Sequence, residues 1–199
     1  MLSYQGARPP AFPAAVALSS LLALLLPLCA LGANAPKSSR PIEENGRLIQ
    51  LAGERGCVVD RSVGPGGCGT ARALAGPGPF MGSRAIAVSG DGQNVYVASS
   101  RSDAIAIFTR NKRTGALTQP AGKGGCVSVK GNGGCARAVG LDGPNSVALS
   151  PEGRFLYATS RASNSVTVFH RNTSTGALTQ FAPGSGCVSG VPIPGCAGT

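Results

Sequence analysis

Short stretches of the sequence alternate hydrophobic and polar residues with a period of two, which is the pattern of β-strands rather than of helices. In the C-terminal part these stretches are 146–150, 155–159, 166–170 and 177–181. Short segments rich in turn residues separate them, such as Ser-Pro-Glu-Gly at 150–153. The pattern therefore predicts a four-stranded antiparallel meander.

The same pattern recurs at an offset of 61 residues, so that the motif GALTQ at 115–119 returns at 176–180. A repeated four-stranded meander is typical of the blades of a β-propeller. We therefore predict an all-β chain with two blades, 85–145 and 146–199. Residues 45–84 resemble the last strand and loop of an earlier blade.

The N-terminus carries a candidate targeting segment. An apolar run at 14–31 follows Arg8 and ends in small residues, which is typical of a secretory signal. We predict a signal peptide at 1–32 and a linker at 33–44. The alternative is a membrane anchor, which is disfavoured because Pro27 interrupts a run of marginal length.

Six cysteines remain after the predicted signal, in three close pairs within Gly-rich segments. An even number of cysteines in a secreted chain indicates disulfides, and the expected location is the periplasm or the cell surface. Zinc is the competing interpretation, but no pair has the usual ligand spacing and His170 is the only histidine. The expected disulfides are Cys57–Cys68, Cys126–Cys135 and Cys187–Cys196.

The composition agrees with a turn-rich β chain. Gly 30 and Pro 15 are abundant, charged residues make up only 13% and Trp is absent. Coiled coils, helical bundles and charge-rich disordered tails have the opposite composition and are excluded.

The repeat resembles a known family. The segment GPNSVALSPEGRFLYAT at 143–159, continued by NSVTVF at 164–169 and TGAL at 175–178, is similar to the repeat of the lactonase-type seven-bladed β-propellers. The segment NVYVA at 94–98 also resembles the YVTN-type repeat of surface proteins. The resemblance implies a closed ring of blades and, for the best-known members, hydrolysis of sugar lactones such as 6-phosphogluconolactone.

About two and a half blades cannot close such a ring, because closure takes at least four. We expect either missing blades or several copies that assemble by self-association. A fragment is favoured because the last unit stops just after its second cysteine.

Topology places a candidate ligand site. Connections in a meander alternate between two edges, so the loops between blades share an edge with the loops between second and third strands. Ligands of propellers usually bind at this edge, which would carry the cysteine-clamped loops 120–145 and 181–199. The alternative is that the disulfides only hold the edge of the ring. The predicted rim residues are Arg101, Asp103, Asp142, Asn145, Arg161 and Asn164.

The sequence offers no catalytic constellation. It has no nucleophile elbow, no zinc-protease motif and no phosphate loop, so we expect no cofactor and no metal. The favoured function is a secreted or surface module for binding or scaffolding. The alternative is a lactonase-like hydrolase, which rests on the resemblance alone. The ligand class is left open between a small molecule, a carbohydrate and a protein.

The charge adds one further hypothesis. The net charge of +10 falls to +9 without residues 1–32, which supports attraction to anionic polymers of the cell envelope. Specific nucleic-acid recognition is disfavoured because the cations fall on both predicted edges without interleaved aromatic residues.

Overall fold

The computed structural model describes residues 50–64, 66–75 and 85–198. These residues form short β-strands joined by turns, with four 3₁₀ helices of three residues each and no α-helix. The predicted signal peptide and linker lie outside the described residues. Within the described part, no helix is long and apolar enough to cross a bilayer.

The N-terminal unit, residues 50–75, contains two short parallel strands, β1 (Val58–Asp60) and β2 (Gly69–Ala71). The disulfide Cys57–Cys68 closes the loop that joins them. This unit lies within residues 45–84, for which the sequence predicts the remnant of a blade.

The first blade is a six-stranded sheet. Its strands are β3 (Ile86–Val88), β4 (Asn94–Ser99), β5 (Ala104–Arg110), β6 (Leu117–Thr118), β7 (Cys126–Ser128) and β8 (Ala136–Arg137). The first three strands form an antiparallel meander, and β6 and β7 pair with opposite ends of β5. Strand β8 then runs parallel to β7.

The second blade repeats this arrangement. Its strands are β9 (Pro144–Leu149), β10 (Phe155–Ser160), β11 (Ser165–Arg171), β12 (Leu178–Gln180), β13 (Cys187–Ser189) and β14 (Ala197–Gly198). Strands β12 and β13 again pair with opposite ends of the third strand, and β14 runs parallel to β13.

The fourth strand of each blade is therefore split, whereas the pattern predicts one continuous strand at 177–181. Proline cannot donate to a ladder, and Gly184 adopts a φ of 86°, so the chain leaves the sheet after Gln180 and returns at Cys187. The first cysteine of each blade consequently lies in a strand.

The main core lies between the two blades. Strand β4 is buried along its whole length because it is covered on both faces. One face contributes to the cluster shared with the second blade, and the other packs against the N-terminal unit. The first cluster includes Tyr96, Ile105, Ile107, Val127, Leu156, Phe169 and Leu178. The second includes Ala71, Val95, Val97, Ala106 and Phe108.

The second blade leaves the corresponding face open. Tyr157 and Val166 are 40% and 45% exposed, whereas their repeat equivalents Tyr96 and Ile105 are fully buried. The described residues thus form two stacked blades and the N-terminal unit without a closed ring. The prediction of an all-β, incomplete propeller is confirmed.

Candidate ligand-binding rim

Two equivalent hairpins, one between β4 and β5 and the other between β10 and β11, carry four of the predicted rim residues, namely Arg101, Asp103, Arg161 and Asn164. Asp103 and Asn164 end these hairpins with φ angles of 47° and 44°. Asp and Asn tolerate this left-handed conformation better than most residues with a Cβ. The backbone of the hairpin thus explains why these two residue types recur at the 61-residue offset.

The cysteine-clamped segments lie beside these hairpins in both blades. The amide of Val129 donates to the carbonyl of Asp103 (3.1 Å), and the amide of Gly190 donates to the carbonyl of Asn164 (3.0 Å). In addition, the amide of Arg161 donates to the carbonyl of Gly143 (3.1 Å). The connection between the blades and the hairpin of the second blade therefore share one edge.

Asp103 and Asp142 form a pair of neighbouring carboxyl groups across the two blades. Asp103 Oδ1 accepts a hydrogen bond from the amide of Gly143 (2.9 Å). A hydrogen bond with the Asp103 carboxyl raises the pKa of Asp142, and burial and the Asp103 charge act in the same direction. Lys130 opposes this rise in the pKa. The pair can therefore share a proton more readily than isolated carboxyl groups.

A recess of about 390 Å³ brings three of the six predicted rim residues together, namely Asn145, Arg161 and Asn164. Thr159 lies among them, and its hydroxyl donates to Asn145 Oδ1 (2.7 Å). Val166 and Val188 also line the recess. It therefore combines a guanidinium and two amides with the border of the open face of the second blade, because Ile105 and Val127, the repeat equivalents of the two valines, are buried between the blades.

The other rim residues do not line this recess. Asp103 and Asp142 lie at the junction of the blades, and Arg101 is an exposed residue of the first hairpin. The structure thus supports two neighbouring groups of polar residues along one edge. A ligand role for any of them stays a prediction.

Sequence reasoning missed a buried polar network between the blades. Arg171 is only 3% exposed, and its guanidinium donates to Tyr96 Oη (2.7 Å) and Asn94 Oδ1 (2.7 Å). It also forms an ion pair with Asp91 (3.3 Å). Hydrogen bonds from Ser89 and from the backbone lower the pKa of Asp91 most strongly. Arg171 is therefore a structural residue, and its recurrence as Arg110 was the available signal.

His170 is exposed and makes an edge-on contact with Phe155 at a ring-centroid distance of 6.1 Å. Within residues 50–64, 66–75 and 85–198, no group of three His, Cys, Asp or Glu residues is arranged to hold a metal ion.

The structure forms all three predicted disulfides, Cys57–Cys68, Cys126–Cys135 and Cys187–Cys196. Three disulfides indicate an oxidising, extracytoplasmic environment.

Comparison with family models agrees with this architecture. Residues 135–190 match the family model described as Lactonase, 7-bladed beta-propeller. A putative 6-phosphogluconolactonase from Bacteroides uniformis is 28% identical with a TM-score of 0.38, over 56% of this chain and 27% of that one. The periplasmic gluconolactonase of Pseudomonas aeruginosa is 19% identical with a TM-score of 0.40, over 71% of this chain and 33% of that one. No curated protein matches the chain.

The chain thus covers 27% and 33% of the length of these two structures. The segment matched by the family model contains most of the second blade and four of the rim residues, Asp142, Asn145, Arg161 and Asn164. The YVTN-type likeness at 94–98 stays a prediction. The resemblance of this chain to the lactonase-type seven-bladed β-propellers is confirmed over residues 135–190.

Proposed function

We propose that this chain is a secreted segment of a lactonase-type propeller that binds a small polar ligand at its rim. The observation that supports this proposal is the recess in which Asn145, Arg161 and Asn164 converge beside Thr159. The three disulfides and the predicted signal peptide support secretion.

The chemistry of the recess favours a ligand with hydroxyl or carboxylate groups. Arg161 offers a permanent positive charge and several donors in a fixed plane. The Asn145 carbonyl already accepts from Thr159 (2.7 Å), so the amide nitrogen of Asn145 is left to donate. Sugars and sugar acids carry complementary groups.

The test is calorimetric titration of gluconate and of glucose into the full, oxidised chain. We expect Arg161→Gln to weaken binding of gluconate by about tenfold, because a charge-assisted hydrogen bond is lost. Arg154 is an exposed residue of the turn before β10, at the other end of that strand, and Arg154→Gln is the matched control. Equal weakening by both variants, or no binding of either sugar, would refute the proposal.

A second candidate function is hydrolysis of a sugar lactone, which the family match over residues 135–190 favours. The Asp103–Asp142 pair would be the group to test, because a carboxyl with a raised pKa can transfer protons. Ring opening of gluconolactone should then be faster than in buffer alone, and Asp142→Asn should remove the acceleration. A rate equal to that in buffer would leave only the binding function.

A further inference from the structure

A cavity of about 640 Å³ lies at the outer side of the junction between the two blades. None of the predicted rim residues lines it. The lining residues that matter here are Lys123, Arg137, Val139, Phe181, Pro183 and Pro194. We refer to it as the perimeter cavity.

The repeat supplies an internal comparison for this cavity. The Gln119 side chain makes two hydrogen bonds with the backbone of Arg72, at 2.8 and 3.0 Å. The Gln180 side chain makes the same two bonds with the backbone of Val139, at 2.8 and 2.9 Å. We call the contact between the N-terminal unit and the first blade the first junction, and the contact between the two blades the second junction. Val139 therefore occupies the position in the second junction that Arg72 occupies in the first.

The Arg72 side chain fills the first junction. Its guanidinium donates to the carbonyls of Pro120 (2.7 Å), Gly133 (2.9 Å) and Gly122 (3.2 Å). The repeat-equivalent residues are Phe181, Pro194 and Pro183, and all three line the perimeter cavity. Val139 has no donor to offer to their carbonyls.

The two side chains also point to equivalent places. Arg72 Nη1 lies 3.2 Å from where a Cβ would stand on Gly134, and Val139 Cγ2 lies 3.6 Å from the same point on the equivalent Gly195. The Val139 side chain ends at this point, whereas the Arg72 guanidinium reaches the carbonyl groups of Pro120, Gly122 and Gly133. The missing arginine side chain therefore accounts for the part of the perimeter cavity that lies beside these carbonyl groups.

The charge of the lining changes as well. Glu54 stands four residues after Gln50 in the N-terminal unit, and Lys123 stands four residues after Gln119 in the first blade. Two residues after the second cysteine of each disulfide, the N-terminal unit has Thr70 and the first blade has Arg137. The perimeter cavity therefore has two exposed cations at its wall, where the first junction has a carboxylate and a hydroxyl group.

We propose that the perimeter cavity binds an acidic sugar unit of a polysaccharide, such as a uronate. Its carboxylate would pair with Lys123 and Arg137, and its hydroxyl groups would donate to the carbonyls of Phe181, Pro183 and Pro194. A ligand with a carboxylate alone would place acceptors against those carbonyls, and a neutral sugar would not use the two cations. The site is separate from the rim and does not depend on the function proposed there.

The experiment is calorimetric titration of trigalacturonate into the full, oxidised chain at low salt. Val139→Arg restores the arginine of the first junction and should weaken binding by at least tenfold, because its guanidinium would occupy the carbonyl groups that the sugar hydroxyls need. Arg137→Gln is an exposed change and should weaken binding by about tenfold. Lys112→Gln removes the same charge from the turn between β5 and β6 and should change the affinity by less than about twofold.

Four results would overturn the proposal. Val139→Arg could bind with the affinity of the wild type, or Arg137→Gln and Lys112→Gln could weaken binding equally, which would indicate diffuse charge attraction. Polyglutamate could bind as tightly as trigalacturonate, which would indicate an acidic peptide as the ligand. Maltotriose could bind as tightly, which would remove the role of the cations. Arg137→Gln decides the question even if Val139→Arg does not fold.

Discussion

Replacing Tyr96 with Phe should destabilise the fold by about 2–4 kcal/mol, because it removes two buried hydrogen bonds. The Tyr96 hydroxyl donates to the carbonyl of Gly176 (2.9 Å) and accepts from Arg171 Nε (2.7 Å). A neutral bond contributes about 1 kcal/mol and a bond to a charged group about 1.5–3 kcal/mol. The guanidinium keeps its other partners, including Asn94 and Asp91, so the charge itself stays paired.

Tyr157→Phe is the matched control, since Tyr157 is the repeat equivalent of Tyr96 and is 40% exposed. Among the described residues, no hydrogen bond engages the Tyr157 hydroxyl, so the loss of stability should stay within about 0.5 kcal/mol. Urea unfolding of both oxidised variants, with linear extrapolation to water, measures the difference. Equal losses for the two variants, or a loss below about 1 kcal/mol for Tyr96→Phe, would refute the reasoning about the buried network.

Two further predictions concern the junction of the blades. Gln180→Ala should cost about 2–3 kcal/mol because it removes the bonds to the Val139 backbone, whereas Gln50→Ala, which loses one exposed bond at 3.2 Å, should cost less than about 0.5 kcal/mol; urea midpoints compare them, and similar losses would contradict the assignment. The second prediction concerns pH. Because folding raises the pKa of Asp142, the protonated carboxyl contributes to the free energy of unfolding. This contribution is complete below the ordinary pKa of 3.8 and is lost as the pH rises through the folded-state pKa. Asp142→Asn should therefore be more stable than the wild type at pH 7, and unfolding at acidic and neutral pH tests this; a less stable variant at pH 7 would speak against repulsion from Asp103.

The architecture could be predicted from the sequence because the 61-residue offset carries strands, turns and cysteines together. Each strand period and each turn gave the same answer as the repeat, which is why the blades and the three disulfides followed. The split of the fourth strand could not be predicted in the same way. The alternation at 177–181 is that of a strand, and only the pairing of Cys187–Ser189 with β11 shows where the strand resumes.

The candidate sites could be predicted only in part. Topology placed Asn145, Arg161 and Asn164 on one edge, but their convergence in a recess depends on side-chain directions that the pattern does not encode. The perimeter cavity was missed for a different reason. Its signal is a difference between repeats, Arg72 against Val139, which both stand four residues after the second cysteine, and the glutamine contacts show what this difference changes.

Differences between the repeats also determine what can cover the open face of the second blade. In the junction of the two blades, Gly176 lies so close to the Asn94 amide that any Cβ on Gly176 would collide with it. The repeat equivalent of Asn94 is Phe155, which instead packs against Phe181 at a ring-centroid distance of 5.9 Å. A blade placed on the open face would therefore meet an aromatic ring where the junction of the two blades has an amide. Its matching surface must differ from that of the second blade, even though Tyr157 would still offer the hydroxyl that Tyr96 offers to Arg171.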